Sequence, residues 1–128
     1  MGALRLDVPS IAALAQTEFC YLTTTGRHTG EPHRIEIWFV GHDDGAYLLS
    51  NSRDADWYRN LEARPEVTLE IAGERRETTA RPVAGDDPAN AVVRPAMVQK
   101  YQQTYRSEDL TDWSREASLV RIEWPPDP

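Results

Sequence analysis

A single cysteine, Cys20, is all the thiol chemistry in this chain of 128 residues. One thiol cannot close an internal disulfide or build a thiolate-rich zinc site. At the start of an aromatic and β-branched run, it reads as a core filler. No apolar stretch approaches the ~20 residues that a membrane-spanning helix needs. The N-terminus has neither the basic start nor the long apolar segment of a secretion signal, so a cytoplasmic location is expected. Positive charge is in deficit: 14 Lys and Arg stand against 21 Asp and Glu, a net charge of −7 with pI near 4.9. Nucleic acid and anionic membrane repel such a chain, and neither is an expected partner.

Several reactive motifs are missing as well. His28, His33 and His42 fall in or beside turns, and no helix carries paired histidines or Glu-x-x-His, so no metal site is expected. There is no Gly-x-Ser-x-Gly, and nothing aligns a serine or cysteine nucleophile with a base. If the chain is an enzyme, a bound cofactor has to bring the reactive group.

What is present suits one domain over residues 1–128 with a single core. Ser10, after Val8 and Pro9, opens a short helix with Ile11, Leu14 and Ala15 on one face. Residues 19–25 read as a strand, and residues 34–40 as a second, with Ile35, Ile37 and Phe39 on one face and Glu36 and Trp38 on the other. A hairpin over 41–45 leads to a strand over 46–50. A helix then starts near Asp54 or Asp56, pairs Trp57 with Leu61, and ends at Arg64-Pro65. Strands follow over 67–71 and 75–83, then a long helix from Ala89 to about Arg106, a short segment 110–113, and a last strand over 117–124. The class is mainly β (α+β). Six strands joined mostly by hairpins, with flanking helices, suggest a small closed barrel, because closure removes exposed sheet edges. An open α+β sheet is the alternative.

Three constellations could carry chemistry. Between the first two strands, residues 26–34 hold two glycines, two arginines and two histidines, against the acidic trend of the whole chain. Gly26 and Gly30 let backbone N–H groups face an anion, Arg27 and Arg34 offer forked donors, and Thr24, Thr25 and Thr29 add hydroxyls. The spacing is neither a Walker loop nor a dinucleotide fingerprint, and a solvated polar hairpin fits it equally. Next, Ser50 and Asn51 run from a strand end towards the helix bearing Trp57 and Asn60, where free N–H groups and an indole could hold a heterocycle. Ordinary capping and core packing compete with that reading. Last, Tyr101 and Tyr105 lie one turn apart on the long helix, with Trp113 beyond; they could donate a proton to a substrate, or pack at the core edge.

In order along the chain, residues 22–34 (LTTTGRHTGEPHR), 57–61 (WYRNL), 64–68 (RPEVT) and 78–81 (TTAR), with the tyrosine-bearing C-terminal helix, resemble the deazaflavin-dependent nitroreductase and quinone reductase family. That family lies within the split-barrel, pyridoxamine-phosphate-oxidase-like flavin-binding superfamily. The likeness runs from about Phe19 to Trp124. It implies a six-stranded split β-barrel, with coenzyme F-420, an 8-hydroxy-5-deazaflavin, as cofactor. Arg27, His28 and Arg34, with the Thr25-Gly26 backbone and the neighbouring Thr24, Gly30 and His33, would hold its phosphate and acidic tail. Ser50, Asn51, Trp57 and Asn60 would line the ring, and Tyr101 and Tyr105 would face the substrate.

The implied reaction is hydride transfer from the reduced ring to a quinone, a nitro compound or an activated alkene (enone). By the same resemblance, such barrels are often homodimers with the cofactor at the subunit seam, whereas some deazaflavin enzymes are monomeric. His28 stands where family members commonly carry lysine, and Glu31 and Glu36 add negative charge nearby. These departures leave two alternatives: FMN in the same barrel, or a non-catalytic cofactor carrier. Haem would need an axial histidine that the turn does not clearly provide.

Overall fold

The computed structural model describes residues 10–104 and 109–125, so Val8, Pro9, Tyr105 and Arg106 lie outside the described residues. Within them the chain forms α1 (Ile11–Leu14), β1 (Phe19–Thr25), β2 (Pro32–Trp38), β3 (Val40–His42), β4 (Gly45–Ser50) and α2 (Asp56–Ala63). Then come β5 (Glu66–Ile71), β6 (Glu74–Pro82), α3 (Ala89–Tyr101), α4 (Thr111–Glu116) and β7 (Ser118–Glu123). All neighbouring strands pair antiparallel, in the order β2-β1-β5-β6-β7-β4-β3.

β2 and β3 stand at opposite ends of this order, yet only Phe39 separates them in the chain. The sheet therefore curls back on itself, and one run of chain serves both edges. Here the structure corrects the strand count: seven strands among the described residues, not six, because the run expected over 34–40 changes partners at Phe39. Trp38 still pairs with Phe19 of β1, whereas Val40 pairs with Tyr47 of β4. β6 makes the matching exchange on the far side, pairing through Thr79 with β5 and from Ala80 with β7. Two half-sheets joined at these two crossings make a split barrel.

Side chains from α3 fasten the exchange point. The Phe39 N–H donates to the Tyr101 hydroxyl at 3.0 Å, and the Lys100 ammonium donates to the Phe39 carbonyl at 2.8 Å. The Tyr101 hydroxyl in turn donates to the Glu18 carbonyl. A strand that leaves one ladder for another strands backbone groups, and buried strays cost about 1–3 kcal/mol each unless something bonds them. Burial brings the Lys100 amine down to about 8.

The barrel interior follows from the period-2 alternation of β1, whose Cys20, Leu22 and Thr24 point inward. Leu22 packs there with Phe39, Leu48, Leu61, Leu69, Ile71 and Ile122, all nearly inaccessible to solvent. A second apolar layer lies between the sheet and the α3–α4 pair, built on Tyr47, Leu49, Val93, Met97, Tyr101 and Leu119. Both two-residue hairpin loops have left-handed backbone, Asp43-Asp44 at φ 53° and 60° and Ala72-Gly73 at 52° and 83°, the form whose twist matches the strands it joins. Gly45 is needed for a different reason. A Cβ there would lie 2.7 Å from the guanidinium carbon of Arg121, which is locked to Glu123 by two bonds of 2.8 and 2.9 Å.

Cys20 is fully buried, and burial pushes its thiol up to about 12. Thiolate is the reactive form, so the native protein is expected to resist iodoacetamide at pH 8 and to alkylate fully once unfolded in urea. Mass spectrometry reads both states. Rapid labelling of the native chain would contradict this placement.

Candidate active site

Between β2 and the end of β4 the barrel opens as a cleft of about 520 Å3. One wall is Glu36, Ile37 and Trp38 of β2; another is the end of β4 and its exit, Leu49, Ser50, Asn51 and Ser52; Ala55 and Trp57 follow, and Asp109, Leu110 and Trp113 complete it. The strand-to-helix exit is built locally. Buried Ser50 donates to the Ser52 carbonyl at 2.6 Å, Ser52 accepts the Asp54 N–H at 3.0 Å, and Asp56 then occupies the first turn of α2. That tight path turns Trp57 into the cleft.

Three of the four tryptophans line this one cavity. Trp38 stacks on Tyr101 with centroids 4.2 Å apart and planes 5° off parallel, and meets Trp113 edge-on at 5.6 Å. The Trp113 indole N–H donates to the Asn51 side-chain oxygen, which bridges the β4 exit to α4. An apolar cleft with a few fixed polar groups, in the ~300–1,000 Å3 range, has the form of a small-molecule site.

The glycine-bearing turn lies against the same helix. The Arg27 N–H and guanidinium donate to the Asn60 side-chain oxygen at 3.1 and 2.8 Å, and the guanidinium pairs with Asp56 at 3.3 Å. Buried Asn60 completes the tie by donating to Thr24 at 3.3 Å. Arg27, Thr24 and Asn60 thus form one network on α2, the helix that carries Trp57. A Cβ on Gly26 would come within 2.9 Å of the Thr29 hydroxyl and 2.8 Å of the His33 ring, so both exposed side chains would have to shift. Gly30 is required by its φ of +77°.

The expected anion cradle is less open than its composition suggests. The Gly26 and Gly30 N–H groups donate to the Glu31 and Gly26 carbonyls, both at 2.8 Å. Arg34 lies on the outer face of β1 and β2, bonded to Glu70 at 3.2 Å and 4.0 Å above the Tyr21 ring. It shares none of Arg27's partners. Thr25 lines a separate hollow on the β1–β5–β6 face. His28 and His33 are exposed at the turn. Tyr101 is only 1% exposed and sits behind Trp38, and Tyr105 falls outside the described residues.

Ser50, Asn51 and Trp57 are therefore brought together in the cleft, while Arg27 and Asn60 lie on its α2 flank. Sequence reasoning missed Glu36, Trp38, Asp109, Leu110 and Trp113 as cleft walls. The available signal was tryptophan itself, a large side chain that rarely lies fully buried. No group of three or more potential metal ligands occurs among the described residues, and no helix there is long and apolar enough to cross a membrane.

Comparison with known proteins shows the family and the fold. An F420H2-dependent quinone reductase from Mycobacterium tuberculosis H37Rv is 36% identical over 72 residues, covering 52% of this chain and 48% of that protein. The chain thus spans about half the length of the curated relatives it matches. Among solved structures, the haem storage protein HutZ from Vibrio cholerae superposes with a TM-score of 0.69 at 21% identity, over 92% of this chain and 88% of that one. An F420-H2-dependent reductase, FDR-A, gives 0.58 at 20%, over 82% and 93%. The model of the F420H2-dependent quinone reductase family matches residues 4–113. On that match, the chain belongs to the F420H2-dependent quinone reductase family.

Proposed function

We propose that this protein binds reduced coenzyme F-420 in the barrel split and passes a hydride to a quinone, with nitro compounds and enones as further acceptors. The observation that carries the reading is the cleft, where three indoles meet the Ser50–Asn51 exit and one of them, Trp57, shares α2 with the Arg27 network. The donor set suits the coenzyme. Flat apolar walls match a tricyclic ring, hydroxyl and amide groups match its polar edge, and the Arg27 side of α2 offers a cation to its phosphate. When bound, the reduced deazaflavin supplies the hydride. The chain contributes binding, orientation and exclusion of water: Trp38, Trp57 and Trp113 dry the cleft, and Ser50 and Asn51 fix the ring's angle.

Among the described residues the outer edge of β2 has no strand partner beyond β1, and Ile35, Ile37 and Trp38 are only partly buried. A second copy of the chain covering that edge, as a homodimer, is the fitting assembly.

The test is steady-state oxidation of reduced coenzyme F-420 by menadione, with reduced FMN run in parallel. Saturable, protein-dependent oxidation of the deazaflavin is expected, with FMN far less effective. Tight coenzyme binding without acceleration would point to a carrier, and preference for FMN would replace the cofactor.

A further inference from the structure

Among the described residues, the charged side chains that line the cleft are all of one sign. Among the described residues its lining contains two carboxylates, Glu36 and Asp109, and no lysine, arginine or histidine. Both carboxylates are fixed and exposed to the cleft's solvent. Glu36 accepts the Tyr21 hydroxyl at 2.8 Å, and the same contact pushes the Tyr21 hydroxyl above its ordinary value, as expected beside an ionised carboxylate. Asp109 accepts the Thr111 N–H at 2.9 Å at the start of α4, and bonds from Thr111, side chain first and then backbone, hold it below its ordinary value. The cations nearby stand outside the lining: Arg34, on the same strand as Glu36, lies over the Tyr21 ring and pairs with Glu70, Arg115 acts on Asp109, and Arg27 is paired with Asp56. The chain's overall charge of −7 adds to the same bias.

We propose that Glu36 and Asp109 select the electron acceptor by charge, admitting neutral or cationic quinones and turning away anionic ones. This inference rests on the oxidoreductase reading above and narrows its substrate class. Two carboxylates at the mouth of a cleft with low-dielectric walls focus a negative potential on whatever enters. A neutral naphthoquinone meets only the indole walls. A sulfonated one brings a permanent negative charge to a cavity whose lining, among the described residues, offers it no counter-ion. Because both carboxylates face water, the discrimination is modest and falls as salt screens it.

The test compares menadione with 1,4-naphthoquinone-2-sulfonate as acceptors for the reduced coenzyme, in wild type and in the Glu36→Gln/Asp109→Asn double variant. The quantity read is the sulfonate-to-menadione ratio of kcat/KM. Intrinsic differences in reactivity between the two quinones, and any change in coenzyme affinity, cancel when this ratio is compared between proteins. The ratio is expected to be about three- to tenfold higher in the variant at low ionic strength, with the gap closing near 0.5 M salt. In wild type alone, which removes any dependence on the variant's folding, the ratio should climb as salt is added. Turnover with both quinones at a ratio unmoved by variant and by salt would overturn selection by charge and leave the reductase reading standing. No turnover with either quinone would overturn that reading and this inference together.

Discussion

Alanine in place of Arg27 is expected to weaken binding of oxidised coenzyme F-420 by about 10- to 150-fold, the loss of one charge-assisted hydrogen bond of ~1.5–3 kcal/mol. The structure makes this an informative substitution, because the turn does not depend on the guanidinium alone. The Arg27 N–H still reaches Asn60 in the variant, and Gly26 and Gly30 keep their bonds within the turn. The ion pair removed joins a side chain that is 23% exposed to one that is 90% exposed and is worth at most ~1 kcal/mol. The lost 2.8 Å bond to Asn60 adds about 0.5–1.5 kcal/mol to the cost for the fold. Fluorescence titration reads affinity and thermal melting reads stability. A fall in affinity at a temperature where the variant stays folded places Arg27 on the coenzyme's anionic arm. Unchanged affinity leaves it as a strut between the turn and α2.

Tyr101→Phe is expected to act in the opposite sense, on the fold and not on the chemistry. Its hydroxyl is the acceptor for the Phe39 N–H at the point where the chain leaves one half-sheet for the other. Phenylalanine keeps the stacking on Trp38 but leaves that buried N–H without its hydroxyl acceptor and removes the bond to the Glu18 carbonyl. The cost is about 1–3 kcal/mol, or a melting temperature lower by roughly 4–15 °C in a domain of this size. Quinone reduction below the transition should persist. A melting temperature equal to wild type, combined with a collapse in kcat, would return Tyr101 to the role of proton donor that its position on the helix suggests from sequence.

The contrast between these two residues shows what could be read along the chain. β1 was legible because its signal is local: alternating aromatic, apolar and hydroxyl side chains produce the alternating burial observed from Phe19 to Thr25. The Ser50–Trp57 exit was legible for the same reason, since a strand end, a serine–asparagine pair and an aspartate-led helix follow one another within a few residues. The seventh strand was not. The partner exchange at Phe39 is set by Lys100 and Tyr101, 61 and 62 residues away, and alternation alone runs straight through it. The partner of Arg34 was hidden in a similar way, because Glu70 lies 36 positions on. The site was half visible. Its anion-binding composition stood out, whereas the walls contributed by β2 and α4 emerge only when the barrel closes.

The most direct test of a coenzyme seated in the split uses the four indole N–H resonances as reporters. Trp38, Trp57 and Trp113 line the cleft, whereas Trp124 is 6% exposed and lies beneath the Arg76 guanidinium, 4.7 Å from its ring centre. Titrating isotope-labelled protein with oxidised coenzyme F-420 should move the three cleft indoles along saturating curves that share one dissociation constant, and leave Trp124 in place. Saturation of the coenzyme signal with those three indoles unmoved would contradict the account.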